Sequence, residues 1–136
     1  MRILQFAFDG HPDNPYLPDN YGLNTVVYTG THDNNTTRGW FEALPEDQRR
    51  NVWNYLKRSG GKTDEVAWEL VRLAWSSRAA LAIAPLQDLL NLGAEARMNL
   101  PGTATGNWRW RCTDQMFSRL DLDRLRALNG ASNRTL

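Results

Sequence analysis

The densest group of chemically capable side chains is the run Tyr28-Thr29-Gly30-Thr31-His32-Asp33-Asn34-Asn35-Thr36-Thr37. It grows out of residues 25–29 (TVVYT), a β-branched and aromatic stretch that reads as a buried strand. A helix cap accounts for part of the run. Asn35 or Thr36 suits the N-cap of a helix leading to Trp40, and Asp33 suits that helix's positive end. This leaves His32 and Asp33 side by side at a strand end. Metal chemistry fits them poorly. The other histidine, His11, lies in a Pro-rich loop, and one cysteine with two histidines does not complete a zinc site. A His-Asp pair of the metal-dependent phosphohydrolase kind needs further His and Asp ligands and sits on a helix. There is no G-x-S-x-G elbow and no Gly-rich phosphate loop. Sugar chemistry suits the pair better. Glycosidic cleavage passes through an oxocarbenium-like transition state. A carboxylate near the ring opposes that charge, and a neighbouring imidazole can hydrogen-bond sugar hydroxyls. No metal or cofactor is expected.

The elements around this run have to position it. Residues 2–8 (RILQFAF) read as a strand with Leu4, Phe6 and Phe8 on one face and Ile3 and Ala7 on the other. Two apolar faces suggest a buried, parallel strand. Residues 9–21, with three prolines, form a turn-rich loop. After the polar run comes a short helix over residues 36–43. A second helix opens with Pro45 at its first position and stops at Gly60-Gly61. Thr63 caps a third, whose buried stripe is Val66, Leu70, Leu73 and Ala74. Residues 79–84 (AALAIA) suit either a helix or a buried strand, and Pro85 at their end favours a third strand. A short helix over residues 86–92 is closed by Gly93. Residues 95–111 are a long loop, and the tail from Thr113 is helical up to Asn129-Gly130. The fold class is therefore α/β. Polar clusters at Asp9, at His32-Asp33 and at Gln87-Asp88 each follow a strand, where open α/β sheets and (β/α)8 barrels bind ligands.

Composition narrows the partners. Lys and Arg number 16 against 15 Asp and Glu, a net charge of +1, so no basic footprint for nucleic acid is present. The longest apolar run, residues 79–86, is far below the roughly 20 residues that span a bilayer. No charged-then-apolar leader opens the chain. The single cysteine, Cys112, excludes an internal disulfide framework and fits a reducing compartment, so the expectation is a soluble cytoplasmic protein. Six tryptophans are many for this length. Trp53, Trp68 and Trp75 lie in helix-like stretches and are expected in the core. Trp108 and Trp110 lie in a Gly- and Asn-rich loop, where packing and ligand contact are both open.

The stretch TGTHDNNTTRGWF at residues 29–41 resembles the signature of the amylomaltase and disproportionating-enzyme family, the 4-α-glucanotransferases. RILQFAFDG at residues 2–10, APLQDLLNLG at 84–93 and ARMNLPGTATGNWRWR at 96–111 agree with it in the same order. The resemblance implies a (β/α)8 barrel, retaining cleavage of an α-1,4 bond, and transfer of the glucan to another maltooligosaccharide or α-glucan. Asp33 matches the third central acid, which stabilises the transition state and binds sugar hydroxyls. His32 matches a subsite histidine, and Asp9 a substrate-contacting aspartate. Asn99, with Pro101 and Gly102, matches a substrate-facing loop. Pro85, Gln87 and Asp88 match the end of the last barrel strand, where a structural role is at least as well supported. The family's nucleophilic Asp and acid/base Glu lie on earlier strands that nothing here matches. A (β/α)8 barrel takes about 250 residues, so residues 1–136 are expected to be one partial domain, the last three parallel strands of the barrel with their helices. The missing N-terminal part of the barrel is then its partner. Alone, the piece is expected to be inactive and to self-associate through exposed barrel edges. A non-catalytic glucan-binding or interaction module is the alternative. A hydrolase of the wider α-amylase group is disfavoured by the THDN and NxPGTxxGNW pairing.

Overall fold

The computed structural model describes residues 1–135. Three short strands form a parallel sheet in the order β1 (Arg2–Ile3), β2 (Val26–Tyr28), β3 (Leu81–Ile83). Six helices follow the chain: α1 (Thr37–Ala43), α2 (Glu46–Tyr55), α3 (Val66–Ser76), α4 (Leu86–Leu89), α5 (Asp114–Phe117) and α6 (Leu122–Ala131). In register, Arg2 faces Val27 and Ile3 faces Tyr28, while Val26, Val27 and Tyr28 face Leu81, Ala82 and Ile83. Paired residues share a face, so Val27 and Ala82 point into the helical core while Val26, Tyr28, Leu81 and Ile83 line the other side. Val27 is fully buried, whereas Leu81 is 51% exposed.

The core gathers on the helical side, where Leu4, Phe8, Val27, Phe41, Val52, Trp53, Val66, Leu70 and Ala74 form one cluster. The expected stripe of α3 is present: Val66, Leu70 and Ala74 are fully buried and Leu73 packs against them. Of the three tryptophans expected in the core, Trp53 is buried. Trp75 is half-buried, with its indole N–H donating to Asn129 Oδ1 at 2.7 Å. Trp68 is half-buried beneath the Arg124 guanidinium, which lies 3.9 Å from its ring centre.

Several boundaries differ from the sequence reading. The first strand stops at Ile3, and Leu4–Phe6 turn into a 3-10 helix closed by the Ala7 N–H on Leu4 O at 2.9 Å. Leu4, Ala7 and Phe8 are buried at helical spacing, Ala7 despite its expected place on the opposite face, and Phe6, expected to share the face of Leu4 and Phe8, is turned out to 49% exposure against Tyr16. Pro45 is the N-cap of α2, not its first residue. Thr63 does not cap α3. It opens a 3-10 turn, Thr63–Glu65, in which Glu65 accepts the Lys62 backbone N–H.

Helix ends were misplaced for a common reason. α2 ends before Gly60-Gly61, with Lys57 at φ 56° and the paired bonds Lys57 N–H to Asn54 O and Arg58 N–H to Trp53 O. α4 ends the same way at Asn91 (φ 55°), before Gly93. The tail is two helices, and α6 runs through Asn129-Gly130 to Ala131, with Asn133 (φ 52°) as its left-handed closing residue. All three are Schellman closures, in which a left-handed residue lets two N–H groups reach back to otherwise unpaired carbonyls. None of the three uses the glycine that such closures favour.

Candidate functional site

The β2–α1 loop, residues 30–36, carries His32 and Asp33. Its start is shaped by Asn34, whose Oδ1 accepts both the Thr31 N–H (2.9 Å) and the Thr31 hydroxyl (2.8 Å). Its end is set by Thr36, which caps α1 by accepting the Gly39 N–H at 3.1 Å. Between these, the side chains of His32 and Asp33 stand out by 57% and 52%, with His32 Nε2 3.3 Å from Asp33 Oδ1. An exposed pair of this kind adds little stability. The pair follows the C-terminal end of the central strand, the side on which α/β folds generally bind ligands.

A second loop comes over this pair. The Asn99 N–H donates to His32 O at 3.1 Å, and its side-chain amide donates to Asp33 Oδ1 at 2.8 Å. Arg97 donates to Asp33 O and to Asn99 O, both at 2.8 Å. Trp108, at φ 60° and half exposed, lies across His32 with ring centres 5.1 Å apart. The loop reverses at Leu100-Pro101-Gly102-Thr103, where the Thr103 N–H reaches Leu100 O at 3.3 Å and Gly102 has φ 82°. Pro then Gly at the two central positions, with positive φ at the second, is type II turn chemistry. Asn107 ties the turn together by accepting the Leu100 N–H and donating to Thr103. Beside the pair is a cleft of about 220 Å³ lined by His32, Asn35, Gln87, Arg97, Trp108 and Trp110, among others.

The structure thus brings His32, Asp33 and Asn99 together and uses Pro101 and Gly102 to turn the strap that carries Asn99. It does not bring Asp9 to them. Asp9 accepts the His11 N–H at 3.0 Å and lines a different cleft, with Trp40 and Asp47. That backbone bond, with help from Asn14, holds its carboxyl below the usual range. Asp88 is 2% exposed and filled with hydrogen bonds from Thr29 and Thr37. Burial pushes its carboxyl upward from the ordinary value. Arg97, which sequence reading did not single out, joins the two loops through Asp33 O, beside the two bonds that Asn99 makes across them. That partner lies 64 positions away, too far along the chain for local spacing to reveal it. Among the described residues, no group of three or more His, Cys, Asp or Glu could hold a metal ion, and no helix is long and apolar enough to cross a membrane.

Comparison with known proteins agrees with this geometry. The family model of 4-alpha-glucanotransferases matches residues 1–117. A 4-alpha-glucanotransferase of Synechocystis is 59% identical over 113 residues, which are 82% of this chain and 22% of that protein. The Thermus thermophilus 4-alpha-glucanotransferase is 45% identical over 98% of this chain and 28% of its own length. The amylomaltase from Streptococcus agalactiae in complex with acarbose superposes with a TM-score of 0.89 and 33% identity, over 98% of this chain and 27% of that one. The chain therefore spans about a quarter of the length of such relatives. With its parallel α/β sheet, its strand-end site and this match along most of its length, the chain belongs to the 4-alpha-glucanotransferase family.

Proposed function

We propose that this chain supplies one side of an α-1,4-glucan transfer site. In this reading Asp33 opposes the positive charge of the transition state, and His32 and Asn99 bind sugar hydroxyls around it. The observation that carries it is the half-exposed Asp33 carboxylate, held at Oδ1 by Asn99 and flanked by His32 at a strand's C-terminal end. The acarbose-bound amylomaltase supports a maltooligosaccharide or α-glucan as the ligand. Trp108 and Trp110 offer the flat surfaces on which sugar rings pack.

Residues 1–136 are read as a single partial domain, the last three strands of a (β/α)8 barrel. Retaining chemistry needs two carboxyl groups about 5–5.5 Å apart across the bond. Asp9 opens on another cleft and Asp88 is buried, so neither pairs with Asp33 for that task. The nucleophile and the acid/base then come from the rest of the barrel, which is the partner of this piece. The edges β1 and β3, with Leu81 exposed on β3 and Phe6 exposed on the turn after β1, favour self-association of the isolated chain. A solution that is wholly monomeric would count against that. A cytoplasmic location fits this reading.

Maltotriose disproportionation tests it. The chain is assayed alone and mixed with the N-terminal part of the barrel made separately. Glucose and longer oligosaccharides from the mixture only, lost with Asp33→Ala, are the expected result. Activity of the chain alone would overturn the assignment of the missing carboxylates. Glucan binding by the mixture without transfer would favour a binding module instead.

A further inference from the structure

We propose that Asp88 is a positioning residue that fastens both ends of the loop bearing His32 and Asp33. The proposal rests on the reading of that pair as the reacting site. Thr29 is the last residue before the loop and Thr37 the first after it. Asp88 Oδ2 accepts the Thr29 hydroxyl at 2.6 Å and the Thr37 hydroxyl at 2.7 Å, while Oδ1 accepts the Thr37 N–H at 2.8 Å. Thr29 and Thr37 are fully buried, so these bonds lie away from bulk solvent. One carboxylate from α4 thus holds the loop closed at its base.

The neighbouring side chain extends the arrangement. Gln87 donates its amide to Ala96 O at 3.2 Å, at the root of the strap that carries Arg97, Asn99 and Trp108. Two adjacent residues of α4 therefore register both loops against one another. Capping α1 is not a sufficient reason for Asp88, because only one of its three bonds goes to an N–H of that helix and one goes to Thr29, outside it. Filling space is not one either. A buried carboxylate costs more to desolvate than an apolar side chain of its size. What the carboxylate alone provides is three acceptor contacts on two separate chain segments.

The test uses the full-length protein that contains this segment. The variants are Asp88→Asn, Thr37→Val, Thr29→Val and Thr37→Ser. Maltotriose transfer gives kcat and KM, a thermal melt reports folding, and amide hydrogen exchange reports order over residues 31–37. Misplacing a reacting group by about 1 Å can cost on the order of 100-fold, so Asp88→Asn is expected to lower kcat about 10- to 100-fold. KM moves less than kcat, and exchange speeds up over 31–37 while the core stays protected. Thr37→Ser recovers most of what Thr37→Val loses. A folded Asp88→Asn protein with wild-type kcat and wild-type exchange over 31–37 overturns the proposal. So does faster exchange spread evenly over the molecule. If Asp88→Asn does not fold, the two valine variants decide by the same readouts. If the wild type transfers no glucan, the proposed function fails, and exchange over 31–37 still judges the fastening.

Discussion

Two aspartates meet the same loop from opposite sides. Asp33 stands half exposed on its crest, with one oxygen held by Asn99 and His32 beside it. Asp88 lies 2% exposed beneath its base and accepts three hydrogen bonds from the loop's two ends. The crest leaves its carboxylate half open to solvent, whereas the base closes its carboxylate within the protein. Identical side chains thus differ in solvation and in hydrogen bonding. An exposed carboxylate keeps oxygen lone pairs for a ligand, whereas a buried one must satisfy them all within the protein.

This contrast can be broken at either end. The largest effect is expected from Asp33→Ala in the full-length protein. Loss of a preorganised charge opposite the transition state costs on the order of 100- to 1,000-fold in kcat. Thermal stability should stay near wild type, and assay beside a melt checks both. Asp88→Ala should lower stability as well as kcat. Three buried donors lose their acceptor, and a loss of about 3 kcal/mol is expected in urea unfolding.

The two regions should also part with pH. Unfolded Asp88 titrates near 3.8, and burial raises its value in the folded chain. The folded state thus holds this proton more tightly. Asp88's contribution to stability is full below the unfolded value and falls as pH rises through the folded one, then stays constant. The gap in urea midpoint between wild type and Asp88→Asn, followed upward from acid pH, should change in that window only.

Smaller effects sharpen the boundary between crest and base. Thr36→Ala removes the cap on α1 where the loop ends, and about 1 kcal/mol of stability should go with it. Outside both regions, Lys57 closes α2 with φ 56°. Lys57→Gly relieves that strain and should raise stability by about 0.5–1 kcal/mol, with kcat untouched. A change in kcat there would mean that global stability, not the loop, limits activity.

Much of this was legible along the chain. The α3 stripe at Val66, Leu70 and Ala74 follows from helical spacing, and the strand at Val26–Tyr28 from its β-branched residues. Helix ends were less legible because Lys57, Asn91 and Asn133 adopt left-handed conformations that glycine favours most, and Lys57 is an uncommon residue there. The glycines nearby, Gly60-Gly61 and Gly93, lie beyond the true helix ends. The alternation of residues 2–8 read as a strand since periodicity cannot show that the chain turns after Ile3 to bury Leu4, Ala7 and Phe8 together.

The sequence by itself determined the residue types at the strand ends, the family signature and the helical stripes, because these depend on neighbours a few positions apart. Only the tertiary structure decided that Asp33 meets Asn99, that Asp9 faces elsewhere, and that Asp88 lies under the loop. The first and the last depend on contacts between residues 51 to 66 positions apart, from Asp88 with Thr37 to Asp33 with Asn99. Distant partners are chosen by packing of the whole sheet and its helices, and burial, which separates the two aspartates, exists only once that packing is complete.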